Sequence, residues 1–296
     1  MYILHDTMCP RSLLFPLYLG LLYAGTALAQ DRYFDSAGVR IRYVDQGAGP
    51  AVMLVHGFTA SIETSWIDTG VLPDLARDHR VIALDLRGHG KSDKPRDPRA
   101  YDELGMDVVR LLDHLGIERA HVVGYSLGGI IVAKLLTIHP GRFLSAVLGG
   151  AAYRRSQSEA ADLAADEAAR EMEHAGLYRA LVVSTAPTDE PPPTDETIRA
   201  RSRVISAAGD IRAHAALMRS RRAFVVTDAE IAAVRVPALA VVGAADPAAP
   251  RVRAMRARWP GLEVDVVAGA THPTVHPRGL LRQPEFRAAI RRHIAR

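Results

Sequence analysis

Cysteine is almost absent from this 296-residue chain, and Cys9 is the only one. It lies ahead of an uncharged N-terminal run, whereas a lipid-attachment cysteine would follow such a run. A mature chain lacking that segment has no disulfide, no cysteine nucleophile and no thiolate metal site. Lysine is nearly as scarce: of 37 basic side chains only Lys91, Lys94 and Lys134 are lysines. The formal charge is a modest +4 and no basic run is interleaved with aromatics. The arginines therefore read as solvated faces, and no nucleic-acid partner is expected. Histidines at 79, 89, 114, 121, 139, 174 and 214 form no ligand-spaced cluster, so no metal site is expected. The glycine-rich stretch Asp85-Leu86-Arg87-Gly88-His89-Gly90-Lys91-Ser92 lacks the spacing of a phosphate-binding P-loop and reads as a sharp turn at a strand end.

Apolar residues make up 48% of the chain and charged ones 24%, which suits a globular protein with a sizeable core. From Ser12 to Gln30 there is no charge, and Ala27-Leu28-Ala29 provides an A-x-A site. Residues 1–29 thus read as a secretory signal peptide cut after Ala29, with an uncleaved anchor as the alternative. The expected location is periplasmic or secreted. Once the segment is cleaved, no stable membrane association is expected.

Short apolar runs alternate with helical patterns over the rest of the chain. Val39–Val44 alternates apolar with basic, as a half-exposed strand does. The runs at 51–55, 81–84, 121–123, 146–148 and 239–242 are apolar throughout, as strands buried on both faces are. Helices are predicted over 102–115, 127–139 and 283–294. This order predicts an α/β fold with a mostly parallel central sheet and helices on both faces. Residues 153–225 break the alternation with an alanine-rich acidic stretch, a proline-rich loop at 186–197 and an arginine-rich helical stretch at 199–222. They read as a small helical cap inserted between a first core segment, 30–152, and a second, 226–296.

Gly124-Tyr125-Ser126-Leu127-Gly128 fits the G-x-S-x-G nucleophile elbow, where a serine occupies a tight strand-to-helix turn. A serine hydroxyl needs a base within hydrogen-bond reach and a third group to orient that base. His272 follows Gly269-Ala270-Thr271 at the end of an apolar run and is the favoured base, with His276 as competitor. Asp246, at the end of the 239–242 strand, is the favoured orienting acid, with Asp265 as rival. Backbone N–H groups of Leu127 and of Phe58, just after His56-Gly57, would form the oxyanion hole. His56 itself reads as structural.

On His56-Gly57-Phe58, Asp85-x-Arg87-Gly88-x-Gly90-x-Ser92, Gly124-x-Ser126-x-Gly128-Gly129, Asp246 and His272, the chain resembles the α/β-hydrolase superfamily, in its capped, cofactor-free branch. The resemblance covers roughly residues 35–295. It implies Ser126 as nucleophile, His272 as base and Asp246 as orienting acid, with Phe58 and Leu127 as oxyanion donors. That branch includes carboxylesterases, lactonases, C–C bond hydrolases and cofactor-free haloperoxidases. Its dehalogenases and epoxide hydrolases carry an aspartate at the elbow, against which Ser126 argues. The expectation is an exported serine hydrolase of small carboxylic esters or lactones. C–C hydrolysis of a β-diketone-type substrate and a non-catalytic binding protein on the same scaffold are the alternatives. Oligomeric state is not legible.

Overall fold

The computed structural model describes residues 30–155 and 158–296; the proposed signal segment, residues 1–29, lies outside them. Eight strands form one sheet: β1 (Arg32–Asp35), β2 (Arg40–Gln46), β3 (Ala51–Val55), β4 (Arg80–Leu84), β5 (Ala120–Tyr125), β6 (Phe143–Gly149), β7 (Ala238–Gly243) and β8 (Leu262–Val267). Their spatial order is β1-β2-β4-β3-β5-β6-β7-β8. The β1–β2 and β2–β4 pairs are antiparallel, and every other pair is parallel. Parallel strands covered on both faces read as near-continuous apolar runs, as Ala51–Val55 of β3 and Ala238–Gly243 of β7 do, and β5 is interrupted only by the partly buried His121. Edge strand β8 is less apolar and leaves Val266 41% exposed.

Among the described residues ten α-helices accompany the sheet: α1 (Val71–Leu75), α2 (Met106–His114), α3 (Leu127–Ile138), α4 (Glu159–Ala175), α5 (Arg179–Ser184), α6 (Asp195–Ala208), α7 (Ile211–Arg219), α8 (Asp228–Ala232), α9 (Ala249–Met255) and α10 (Pro284–Ile294). One face of the sheet packs against residues of α2, α3 and α9. The other packs against α1 and α10, with Phe286, Ile290 and Ile294 of α10 inward as their four-residue spacing predicts. Helices α4 to α7 come between β6 and β7 and share a separate small core of Ala169, Met172, Tyr178, Val182, Ile198 and Ala215. Phe58 packs against both that core and the sheet's. Among the described residues no helix is long and apolar enough to cross a membrane.

Four local outcomes differ from the sequence patterns. The helical stretch expected over 199–222 breaks at Gly209, and Asp210 starts α7 by accepting from the N–H groups of Arg212 and Ala213. The proline-rich loop ends earlier than 197, because Thr194 caps α6 through the N–H of Thr197. The helix expected from Asp102 begins at Met106, after a single 3-10 turn at Pro98–Tyr101 capped by Asp97. Finally, β2 does not alternate cleanly. Arg42 is buried at 2% exposure, where its guanidinium bonds to Asp31, Glu63 and Asp85.

Candidate active site

Strand β5 runs into Ser126, which holds φ 52° and ψ −114°, a conformation unusual for any residue but glycine. Such backbone costs on the order of 1–3 kcal/mol and is stored where the surroundings enforce it. Here the surroundings are the first turn of α3 folded back onto the strands. A Cβ on Gly124 would stand 2.3 Å from the Gly128 carbonyl oxygen, and one on Gly128 would stand 2.0 Å from that of Val55. The two glycines of the elbow are thus required by close approach.

His272 Nε2 lies 2.9 Å from Ser126 Oγ, and His272 Nδ1 lies 2.8 Å from Asp246 Oδ2. The carboxylate is 1% exposed and accepts a second bond, 2.7 Å, from the N–H of Ala248. That pairing points Nδ1–H at Asp246 and leaves Nε2 free to accept the serine proton. Gly150, at φ 58°, sits against the pair: a Cβ there would come within 3.3 Å of both Asp246 Oδ2 and His272 Cε1. The Tyr125 hydroxyl donates to the His272 carbonyl oxygen, and burial holds its pKa well above the usual phenol range. The His272 loop is further tied by Thr271, whose N–H donates to Arg278 O and whose O accepts from the Leu280 N–H.

The competing residues lie elsewhere. His276 Nδ1 accepts from the Arg278 N–H and its Nε2 is 3.2 Å from Glu190. Asp265 sits within β8 and pairs with Arg292. His56 is a brace: Nδ1–H donates to Gly57 O at 2.7 Å and Nε2 accepts from the Leu86 N–H at 3.0 Å. Burial depresses its pKa, so it stays neutral. It holds the loop carrying Phe58 against the end of β4. Leu127 is the first residue of α3, where backbone N–H groups have no intrahelical acceptor.

The glycine-rich turn after β4 is likewise a brace. Asp85 accepts from the N–H groups of Ile62 and Lys91 and from Arg42. Gly90, at φ 48°, lies where a Cβ would meet the Asp85 carboxyl carbon at 2.2 Å. Arg87 forks onto Asp107 at 2.8 and 2.5 Å. The side chains of Asp85 and Arg87 are thus spent on the protein itself.

The structure also assembles a feature that sequence spacing hides. His89 and His214, 125 positions apart in the chain, meet with ring centroids 4.9 Å apart and planes tilted by 42°, beside Phe58. Periodicity carries no signal for such a contact between a strand-end turn and an inserted helix. Among the described residues no group of three or more His, Cys, Asp or Glu side chains is placed to hold a metal ion.

Comparison with known proteins agrees with this architecture. A family model described as "alpha/beta hydrolase fold" matches residues 50–176. A 2-hydroxymuconate semialdehyde hydrolase of Pseudomonas sp. (strain CF600) is 40% identical over 123 residues, 41% of this chain and 43% of that protein. Epoxide hydrolase A of Mycobacterium tuberculosis is 38% identical over 133 residues, 43% of this chain and 40% of that protein. The chain thus spans less than half the length of these relatives. The crystal structure of the enol-lactonase from Burkholderia xenovorans LB400 superposes with a TM-score of 0.69 at 22% identity, covering 90% of this chain and 100% of that one. With its eight-stranded sheet, its serine elbow and these matches, the chain has the α/β-hydrolase fold, and its residues 50–176 match that family's model.

Proposed function

We propose that the protein is a serine hydrolase of small carboxylic esters or lactones, working through Ser126, His272 and Asp246. The observation that carries this reading is the continuous pair of hydrogen bonds, Ser126 to His272 at 2.9 Å and His272 to Asp246 at 2.8 Å. Ser126 Oγ attacks the substrate carbonyl as Nε2 of His272 takes its proton, and Asp246 stabilises the imidazolium that forms. The N–H groups of Phe58 and Leu127 receive the developing oxyanion, each such donor contributing about 2.7–4 kcal/mol. Collapse of the tetrahedral species expels the alcohol, which receives the proton from His272. His272 then draws a proton from water, which attacks the acyl-enzyme and releases the acid.

An oxygen nucleophile activated by imidazole suits attack on a carbonyl and release of an alkoxide. The relatives' names span epoxide, C–C and lactone chemistry. Of these, C–C hydrolysis is the second reading, favoured by the 40% identity to a semialdehyde hydrolase. We further propose that the enzyme acts in the periplasm or outside the cell, on the strength of the uncharged run and A-x-A site in residues 1–29. The helices between β6 and β7 would form a cap over the site, and the oxyanion arrangement of Phe58 is where cap and core meet.

The test is the intact mass of the mature protein after exposure to a fluorophosphonate, with Ser126→Ala alongside. A single adduct on the unsubstituted protein, absent from the variant, is expected. No adduct on folded protein would overturn the reading. Parallel assays with simple esters, lactones and β-diketones then separate ester from C–C hydrolysis.

A further inference from the structure

The two adjoining histidines beside Phe58 serve no role in the proton transfers above, yet each carries a ring nitrogen with nothing to bond. His89 leaves the turn after β4 and is 1% exposed; its Nδ1–H donates to Arg87 O at 3.1 Å. A carbonyl partner accepts only, so the proton sits on Nδ1 and Nε2 is a bare acceptor. That Nε2 is buried with no hydrogen-bond partner. His214 rises from α7, is also 1% exposed, and its Nδ1 lies 2.8 Å from the hydroxyl of the fully buried Tyr178. With the phenol assigned as the donor to Nδ1, the imidazole proton sits on Nε2, which becomes an N–H donor. That Nε2, too, is buried and unpartnered.

An unmade hydrogen bond inside a protein is costly, and two on adjoining rings at one place call for an explanation. Their surroundings supply it. The rings lie 4.9 Å apart, and the half-buried Phe58 ring touches both, at 5.8 and 5.2 Å between centroids. The backbone N–H of Phe58 is the proposed oxyanion donor, and Gly57 beside it lies against Ser126, where an added Cβ would stand 3.2 Å from the serine Cβ. The pair therefore lies against the ring of the residue whose N–H is the proposed oxyanion donor, with His89 on the turn after β4 and His214 on α7. One member of the pair accepts and the other donates.

We propose that His89 and His214 form a polar subsite that binds a hydroxyl group of the substrate, held several bonds from the scissile carbonyl. A hydroxyl matches the two nitrogens in character, since it can donate to His89 Nε2 and accept from His214 Nε2–H. A carboxylate does not match, because it cannot donate to His89. Nor would it find a cation there, since burial keeps both imidazoles neutral, His89 well below its usual range and His214 down to about 4. A purely hydrocarbon chain would leave both nitrogens unserved. The substrate class is therefore a hydroxyalkanoate ester or a lactone bearing a free hydroxyl. This inference deepens the carbonyl-hydrolase reading and rests on it.

The experiment uses the Ser126→Ala protein, in which binding is read without turnover. Methyl esters of ω-hydroxy acids with four, six and eight carbons are titrated against the matching methyl alkanoates. The ring nitrogens of His89 and His214 are followed by 15N NMR. At least one hydroxy ester is expected to bind about tenfold more tightly than its alkanoate, the gain of one well-formed hydrogen bond. It should move both Nε2 signals, and His89→Phe or His214→Phe should erase the preference. Equal binding of every pair with unmoved Nε2 signals would overturn the proposal, leaving the nitrogens to a resident water only. Tighter binding of the free alkanoate anions would overturn it as well. Because the NMR readout uses the native histidines, it stands even if a phenylalanine variant fails to fold. Fluorophosphonate labelling of the unsubstituted protein needs no hydroxyl on the probe, so failure of the hydrolase reading and failure of the subsite are told apart.

Discussion

A Cβ on Gly128 would lie 2.0 Å from the carbonyl oxygen of Val55, which brings the first turn of α3 and the end of β3 into direct backbone contact. Neither backbone can retreat without moving the elbow. Gly128→Ala is therefore expected to destabilise the fold by several kcal/mol, as overpacking at a rigid site does. It should also abolish fluorophosphonate labelling of Ser126 in whatever protein remains folded. Urea unfolding and intact mass check the two parts; a stable, fully reactive variant would refute the account.

Asp246 holds His272 in the tautomer with the proton on Nδ1. Asp246→Asn should leave the structure in place and lower ester turnover on the order of 10⁴-fold, with KM nearly unchanged. Steady-state kinetics on the ester found in screening would measure it. A loss below tenfold would point to another orienting group.

Arg42, 2% exposed, is the counter-charge of the fully buried Asp85. Removing one partner of a buried pair leaves the other charge stranded, at a cost of about 3–5 kcal/mol. Arg42→Met should lower stability by that order. Because Arg42 also holds Asp31 and Glu63, amide exchange should rise through β1 as well. Stability within 1 kcal/mol of the parent, by chemical unfolding, would argue against the bond between charge and burial.

Acid should weaken the protein through its buried histidines. Burial lowers the pKa of His56, of His89 and of His214, the last from 6.5 to about 4. For His214, Asp210 opposes the shift, while Lys94 and His56 add to it. An unfolded histidine takes up a proton near pH 6.5 and the folded one does not, so the unfolded state binds more protons below that pH. The stabilisation is complete above about pH 6.5 and is lost as the pH falls toward about 4. For His214 it amounts to about 3 kcal/mol. Urea midpoints measured from pH 7.5 to 4.5 should fall, and His214→Phe should flatten the decline.

Arg278 joins the His272 loop to the proline-rich 186–194 segment, bonding to Asp189, Glu190 and Gly269 O. These groups are solvent-accessible, so Arg278→Ala should leave global stability nearly unchanged. Its effect should be local: faster hydrogen exchange across 186–194, including the N–H of Thr188 that donates to Ala245 O. Unchanged exchange there would show that the prolines alone hold the segment.

The sheet, the elbow and the positions of Ser126, Asp246 and His272 at strand ends were all legible in the chain. They depend on local patterns: apolar runs, small residues two before and two after a serine, and chain order. Short or polar elements were not. Strand β1 and helices α1, α5, α8 and α9 have four to seven residues each, too few for a periodicity to stand out. The 199–222 stretch kept a helical composition across Gly209 and Asp210, where capping divides it.

By itself, then, the sequence determined the fold class and the catalytic-type constellation, because each follows from neighbours in the chain or from a compositional run. Only the tertiary structure decided which charges are buried and which distant side chains meet. Arg42 looked like the exposed side of an alternating strand, yet folding closes Asp31, Glu63 and Asp85 around it. His89 and His214 looked scattered, yet packing of α7 onto the turn after β4 brings their rings together beside Phe58. Burial and long-range contact are properties of the packed chain, and no spacing in the sequence encodes them.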